Sequence, residues 1–154
     1  TQHTRRGMYI LVRRNFPFPM FEVFDAPVTS SSCPVRDVTT VAPQALWTLN
    51  SPSVFEQAKQ LAGRIATMAG TDDAEWIASV WLTLLSRPIT EEESKEAAAL
   101  LGQLTEQATE NQDQLATALG ELPESLRPLD LPRATAMIQF CLAAYNLNEF
   151  SFID

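Results

Sequence analysis

Histidine is almost missing from this chain, and its scarcity excludes more than any motif includes. His3 is the only one in 154 residues, and it stands near the first residue. A Ser-His-Asp or Cys-His machine needs a positioned imidazole, so neither can be built from the body of the sequence. A histidine zinc site fails for the same reason. Cysteine is nearly as rare. Cys33 and Cys141 are far apart, so there is no C-x-x-C for a zinc knuckle, a thioredoxin-type site or c-type haem attachment. No EF-hand spacing appears. No apolar run reaches the ~20 residues needed to span a bilayer, and Gln139 interrupts the longest candidate. Lysine is absent from residues 1–50.

What remains is an apolar, acidic, globular composition. The 45% hydrophobic content argues against disorder and for one real core. Charge is unevenly spread. Residues 1–50 carry five arginines against Glu22, Asp25 and Asp37, a net of +2, whereas residues 51–154 carry six basic and sixteen acidic residues, a net of −10. Arginine without lysine suits bidentate pairing with carboxylates or phosphates. The acidic body and the missing lysines argue against nucleic acid as a partner.

The patterning predicts a mainly α fold, a compact bundle of about five helices behind an extended arm rich in Arg, Phe and Pro. Residues 1–42 read as the arm and a polar junction, and 43–154 as the helical body. Within the arm, residues 8–12 read as a short buried strand, hairpin arm or extended segment. Pro17 and Pro19 argue against regular helix from Asn15 to Met20. Ala42-Pro43 opens a short helix to Leu49. Ser51 then caps a longer one with Pro52 at its first position, and Gly70 stops it. Thr71 is the expected cap of the next helix, with Asp72, Asp73 and Glu75 at its positive end. Residues 76–86 carry no charge, which predicts a central helix. Thr90 and Glu93 form a capping box. Residues 120–132 read as a Pro-rich loop. A last helix, from Arg133 to about Leu147, carries no charge after Arg133, so the two uncharged helices are expected to pair as the core.

The densest polar stretch is 32–50. Its Arg36, Asp37, Thr39, Thr40, Gln44 and Asn50, with Asp25 nearby, read as a polar junction or cleft. Asp25 and Asp37 are better read as partners of Arg13, Arg14 or Arg36 than as a catalytic pair, because buried charges are usually compensated. Glu22 and Glu149 complete the set from which a glycosidase carboxylate pair would be drawn. Arg5, Arg6, Arg13 and Arg14 read as an interface. Trp76 and Trp81 belong to the core, and Trp47 is the more open case for stacking. The cysteines are two buried thiols or one long-range disulfide, and the residues alone favour the thiols.

Several of these segments carry a family resemblance. They are Arg-Arg-Gly-Met-Tyr-Ile-Leu-Val-Arg-Arg-Asn, Phe24-Asp25-Ala26-Pro27, Ser32-Cys33 with Arg36, Thr39-Thr40, Pro43-Gln44-Ala45-Leu46 and Asn50, then Arg87-Pro88 with Thr90 and Glu93, and finally Cys141 and Asn148-Glu149-Phe150. Together they resemble the C-terminal region of a planctomycete domain of unknown function, number 1553. The resemblance implies a C-terminal fragment of a large exported protein, periplasmic or at the cell surface. It implies upstream domains as partners, with any haem held in a separate cytochrome c domain and no cofactor in these residues. It also implies a setting of polysaccharide breakdown, and it supplies no established catalytic residues to carry over. Export brings the disulfide level with the thiols. Gly7 stands where the family usually has Ser, and Leu147 replaces the Ser of Asn-Ser-Asn-Glu-Phe. Two functions are therefore expected. One is a non-catalytic module docking on upstream domains. The other is a contribution to carbohydrate binding through Asp25, Arg36, Asp37 and Gln44.

Overall fold

The computed structural model describes residues 9–10, 19–27, 42–112 and 119–151. Seven helices lie among them: α1 (Pro19–Val23), α2 (Ala42–Asn50), α3 (Pro52–Ala69), α4 (Asp73–Leu85), α5 (Glu91–Glu110), α6 (Leu131–Ala144) and α7 (Asn148–Ser151). The described residues contain no strand. The expected strand at 8–12 lies largely outside them, as do Arg5, Arg6, Arg13, Arg14, Cys33, Arg36, Asp37, Thr39 and Thr40. The chain divides into two compact units, Thr1–Trp47 and Thr48–Asp154.

In the first unit, α1 corrects the reading of the arm as wholly extended. Pro19 opens this helix instead of breaking it, because a first-turn residue has no helical acceptor for its N–H and needs the φ that proline already has. The helix closes through Phe24 N–H to Met20 O and Ala26 N–H to Phe21 O. Asp25 sits at φ 53°, in the left-handed region, which short polar residues tolerate better than most.

The second unit is built around α6. Ala134, Met137, Ile138, Phe140, Cys141 and Ala144 are all buried, and so is Thr135. The Thr135 hydroxyl is satisfied by donating to Leu131 O at 2.7 Å. A helix buried nearly all round lies mid-core. It runs beside α5 and α3. The buried face of α3 is Ala58, Leu61, Ala62, Ile65 and Ala66, and α5 contributes Ala97, Leu101 and Ala108. Both sets have helical spacing.

The expected pairing of the two uncharged helices is corrected. α4 packs against α3 and α5 and does not run alongside α6. It reaches α6 through the Arg133–Asp73 ion pair and through large rings instead. Trp76 meets Phe140 at 5.5 Å and Trp81 meets it at 6.1 Å. Only one face of α4 is buried, through Trp76, Ile77, Val80 and Trp81, and Leu82 is 60% exposed. The missing charge on α4 therefore does not mean burial all round. Both indole N–H groups are buried without an acceptor. Each costs about 1–3 kcal/mol, which burial of a ring covering roughly 150–250 Å² at ~25 cal/mol per Å² exceeds.

The caps are mostly as expected. Ser51 precedes Pro52 in extended conformation, though its hydroxyl bonds Ser53 Oγ and caps no backbone amide. Gly70 ends α3 at φ 76°. Asp72, one residue beyond the expected Thr71, caps α4, its carboxylate accepting from Ala74 and Glu75 N–H. The Thr90/Glu93 capping box is present. The Pro-rich segment 120–130 is a packing element as well as a connection. Leu126 is fully buried, and Ser125 Oγ donates to Gly63 O at 2.6 Å. Lys59 tethers Leu119 through its carbonyl, at 3.3 Å, while pairing with Glu56 at 2.7 Å.

Candidate functional site

A cleft in the second unit forms a hollow of about 340 Å³ between α4, α5, α6 and α7. Its floor is Trp81, Ala97, Phe140 and Ala143, and its walls are Leu85, Leu100 and Leu147. The floor follows from the fold. The α4 rings reach toward α6, and the small Ala97 and Ala143 leave space above them. Leu100, on α5, is 38% exposed. Its polar lining residues are Arg87, Glu93, Glu96, Asn148 and Glu149.

Three of these form a single cluster around Arg87. α4 ends at Ser86 in left-handed conformation, which turns Arg87 and Pro88 away from the helix. The Arg87 guanidinium then grips two carboxylates. Its Nε and Nη2 donate to the two oxygens of Glu149, both at 2.6 Å. Its Nη1 and Nη2 donate to the two oxygens of Glu93, at 2.9 and 2.6 Å. Nη1 also reaches Pro88 O at 3.2 Å. Glu93 is held in addition by Thr90 N–H at 2.9 Å, as the reciprocal half of the capping box. This is bidentate recognition twice over, a geometry that only arginine offers.

The electrostatics follow from the contacts. Arg87 holds the Glu93 carboxyl well below the usual carboxylate range, helped by the Thr90 amide. Arg87 also lowers Glu149, against opposing pushes from desolvation and from the Glu93 charge. The two carboxylates in turn raise Arg87. For the depressed acids the sign is fixed. Their contribution is fully present above the ordinary value of 4.5 and is lost as pH falls from there through the lower folded values. The melting temperature should therefore drop below about pH 4.5. Arg87→Met should melt lower than the parent at pH 7 and converge with it in acid. Parallel melting curves across that range would refute the cluster's role.

The cluster was only half legible. In the sequence, Arg87-Pro88 with Thr90 and Glu93, and Asn148-Glu149-Phe150, are two separate signatures, and the fold joins them across 62 residues. Glu149, one candidate for a glycosidase pair, is a partner of Arg87. Leu147, where a Ser was expected, makes part of the apolar wall. α7 is further held by Phe150 against Tyr145, ring centroids 5.1 Å apart.

The expected polar junction is represented by few described residues. Gln44 is buried and its amide donates to Val23 O at 3.1 Å. Trp47 meets Phe24 edge-on at 5.6 Å. Asp25 lies at the end of α1 and Asn50 at the end of α2. Cys141 is a buried free thiol, pushed up to about 12 by burial. Since its folded value is raised above 9.0, its contribution is present below that value and fades as pH climbs toward about 12. A native chain at pH 8 should leave Cys141 unreacted with a thiol reagent, and unfolding should expose it. Rapid native labelling of Cys141 would contradict its burial.

Among the described residues no group of His, Cys, Asp and Glu could hold a metal ion, and no helix is long and apolar enough to cross a membrane. A protein-family model described as "Protein of unknown function (DUF1553)" matches residues 1–101. That span covers Arg87, Thr90 and Glu93 and stops short of Glu149. The searches of curated proteins and of solved structures found no match.

Proposed function

The chain belongs to the DUF1553 family of proteins of unknown function, and on that premise we propose that its helical body is a non-catalytic docking module of a larger exported protein. It seats through the α4–α7 cleft on an upstream part of the same polypeptide. One observation carries the reading: Glu93 and Glu149 are both held by Arg87 beside an apolar floor. A general acid or base needs a pKa near the working pH, and both carboxylates are driven away from it. No serine, threonine, cysteine or histidine is among the described residues lining the cleft. What the cleft offers is apolar surface beside fixed, paired charge, the composition of an interface and not of a reaction centre.

Export and the polysaccharide setting rest on the family resemblance alone. The carbohydrate alternative draws on Asp25, Arg36, Asp37 and Gln44. Gln44 is committed to Val23, and Arg36 and Asp37 lie outside the described residues.

The test places p-benzoylphenylalanine at Leu100 in the full-length polypeptide. Illumination should give an intramolecular adduct to a segment upstream of Thr1. An adduct-free product, with the probe intact and the protein folded, would overturn the proposal.

A further inference from the structure

The charges around the cleft say what kind of segment it takes. The rim carries one cation, Arg87, and three carboxylates, Glu93, Glu96 and Glu149, a net of −2. The cation is enclosed by two of the acids, so an incoming group does not meet a free guanidinium. Glu96 is exposed and has no ion-pair partner among the described residues. The surrounding chain deepens the field, since residues 51–154 sum to −10 and α5 begins Glu91-Glu92-Glu93. An apolar floor within a negative rim selects for apolar anchors flanked by positive charge.

Size narrows the choice. A hollow of about 340 Å³ is at the lower end of the ~300–1,000 Å³ of small-molecule sites. It suits one or two inserted side chains. Leu100 at its edge is partly exposed and extends the apolar surface beyond the hollow, which an anchored peptide can cover and a small molecule inside cannot.

We propose that the α4–α7 cleft binds a basic peptide segment, inserting one or two large apolar side chains over Trp81 and Phe140 while its flanking Lys or Arg side chains pair with Glu96 and the outer edge of the Arg87 cluster. This rests on the docking reading above and adds the chemistry of the partner.

The test uses two labelled twelve-residue peptides with the same Trp and Leu anchors, one flanked by lysines and the other by glutamates. Binding to the chain is followed by fluorescence anisotropy at low and moderate salt. The basic peptide should bind about tenfold or more tightly than the acidic one, since reversing the flanking charges replaces rim attraction with repulsion. Added salt should shrink the difference. Glu96→Lys should narrow or reverse the preference, and Leu100→Asp should weaken the basic peptide. Circular dichroism confirms that each variant is folded. Equal binding of both peptides, preference for the acidic one, or equally tight binding of free indole-ethylamine in place of the peptide would overturn the proposal. If the Leu100 probe cross-links upstream but to a neutral or acidic segment, only this inference fails. If no cross-link forms and neither peptide binds, the docking reading fails with it.

Discussion

Phe140→Ala is expected to lower the stability of the chain by about 3–5 kcal/mol. Phe140 is 2% exposed and is the apolar link between α4 and α6, with Trp76 and Trp81 both against its ring. Truncation removes the transfer free energy of the ring and leaves a cavity that two rigid indoles on a different helix cannot collapse into. The cost should fall in the upper part of the range for that reason. Phe140→Leu keeps most of the apolar volume and should cost clearly less. Urea unfolding reads both, as a lower midpoint at unchanged m-value. A loss below about 1 kcal/mol for Phe140→Ala would be ordinary for a surface residue or a tolerant one, and would mean that α4 is held to the bundle by something other than this ring cluster.

Gly63→Ala should destabilise by about 1–3 kcal/mol, at the upper end for an overpacked contact. In most helices replacing glycine with alanine helps, by up to about 1 kcal/mol, so the expected sign is opposite to propensity. The reason is a close approach. A Cβ on Gly63 would lie 2.5 Å from Pro123 Cβ and 2.9 Å from Pro123 Cγ. The proline ring is rigid, so α3 or the 120–130 segment must move. Movement would also strain the bond from Ser125 Oγ to Gly63 O and disturb Leu126, which is fully buried. Gly63→Ala with Pro123→Gly should lose less than the sum of the single changes, the coupling expected of residues in direct contact. Additive losses, or a stabilised Gly63→Ala, would show that the segment does not press on α3.

The same two residues mark the limit of sequence reading. Helices α2 to α6 were legible because capping residues, proline positions and apolar spacing are local signals. The Thr90/Glu93 box and the stop at Gly70 needed no tertiary knowledge. Pro19 misled, since a proline forbids helix interiors but suits first turns, and nothing local distinguishes the two. Charge was a poor guide to burial. α4 and α6 both lack charge over most of their length, yet only α6 is enclosed, because exposed Leu82 carries no signature that separates it from a core leucine. The Gly63–Pro123 contact and the Arg87–Glu149 pair each join residues about 60 apart, and no periodicity encodes such a meeting. For the site, both halves of the arginine cluster stood out as motifs, but the cleft they border did not, because its floor residues look like any other core.

The cleft therefore presents a settled ionic cluster beside unsettled apolar surface, and its role is decided by whether something covers it. Hydroxyl-radical footprinting of the isolated chain and of the proposed larger polypeptide measures this directly. Docking predicts that Leu100 and Leu147 are oxidised in the isolated chain and protected in the full-length protein, while Met68, 74% exposed on α3, labels alike in both. Equal oxidation of Leu100 and Leu147 in the two samples would mean that the cleft stays open, and would contradict the docking role.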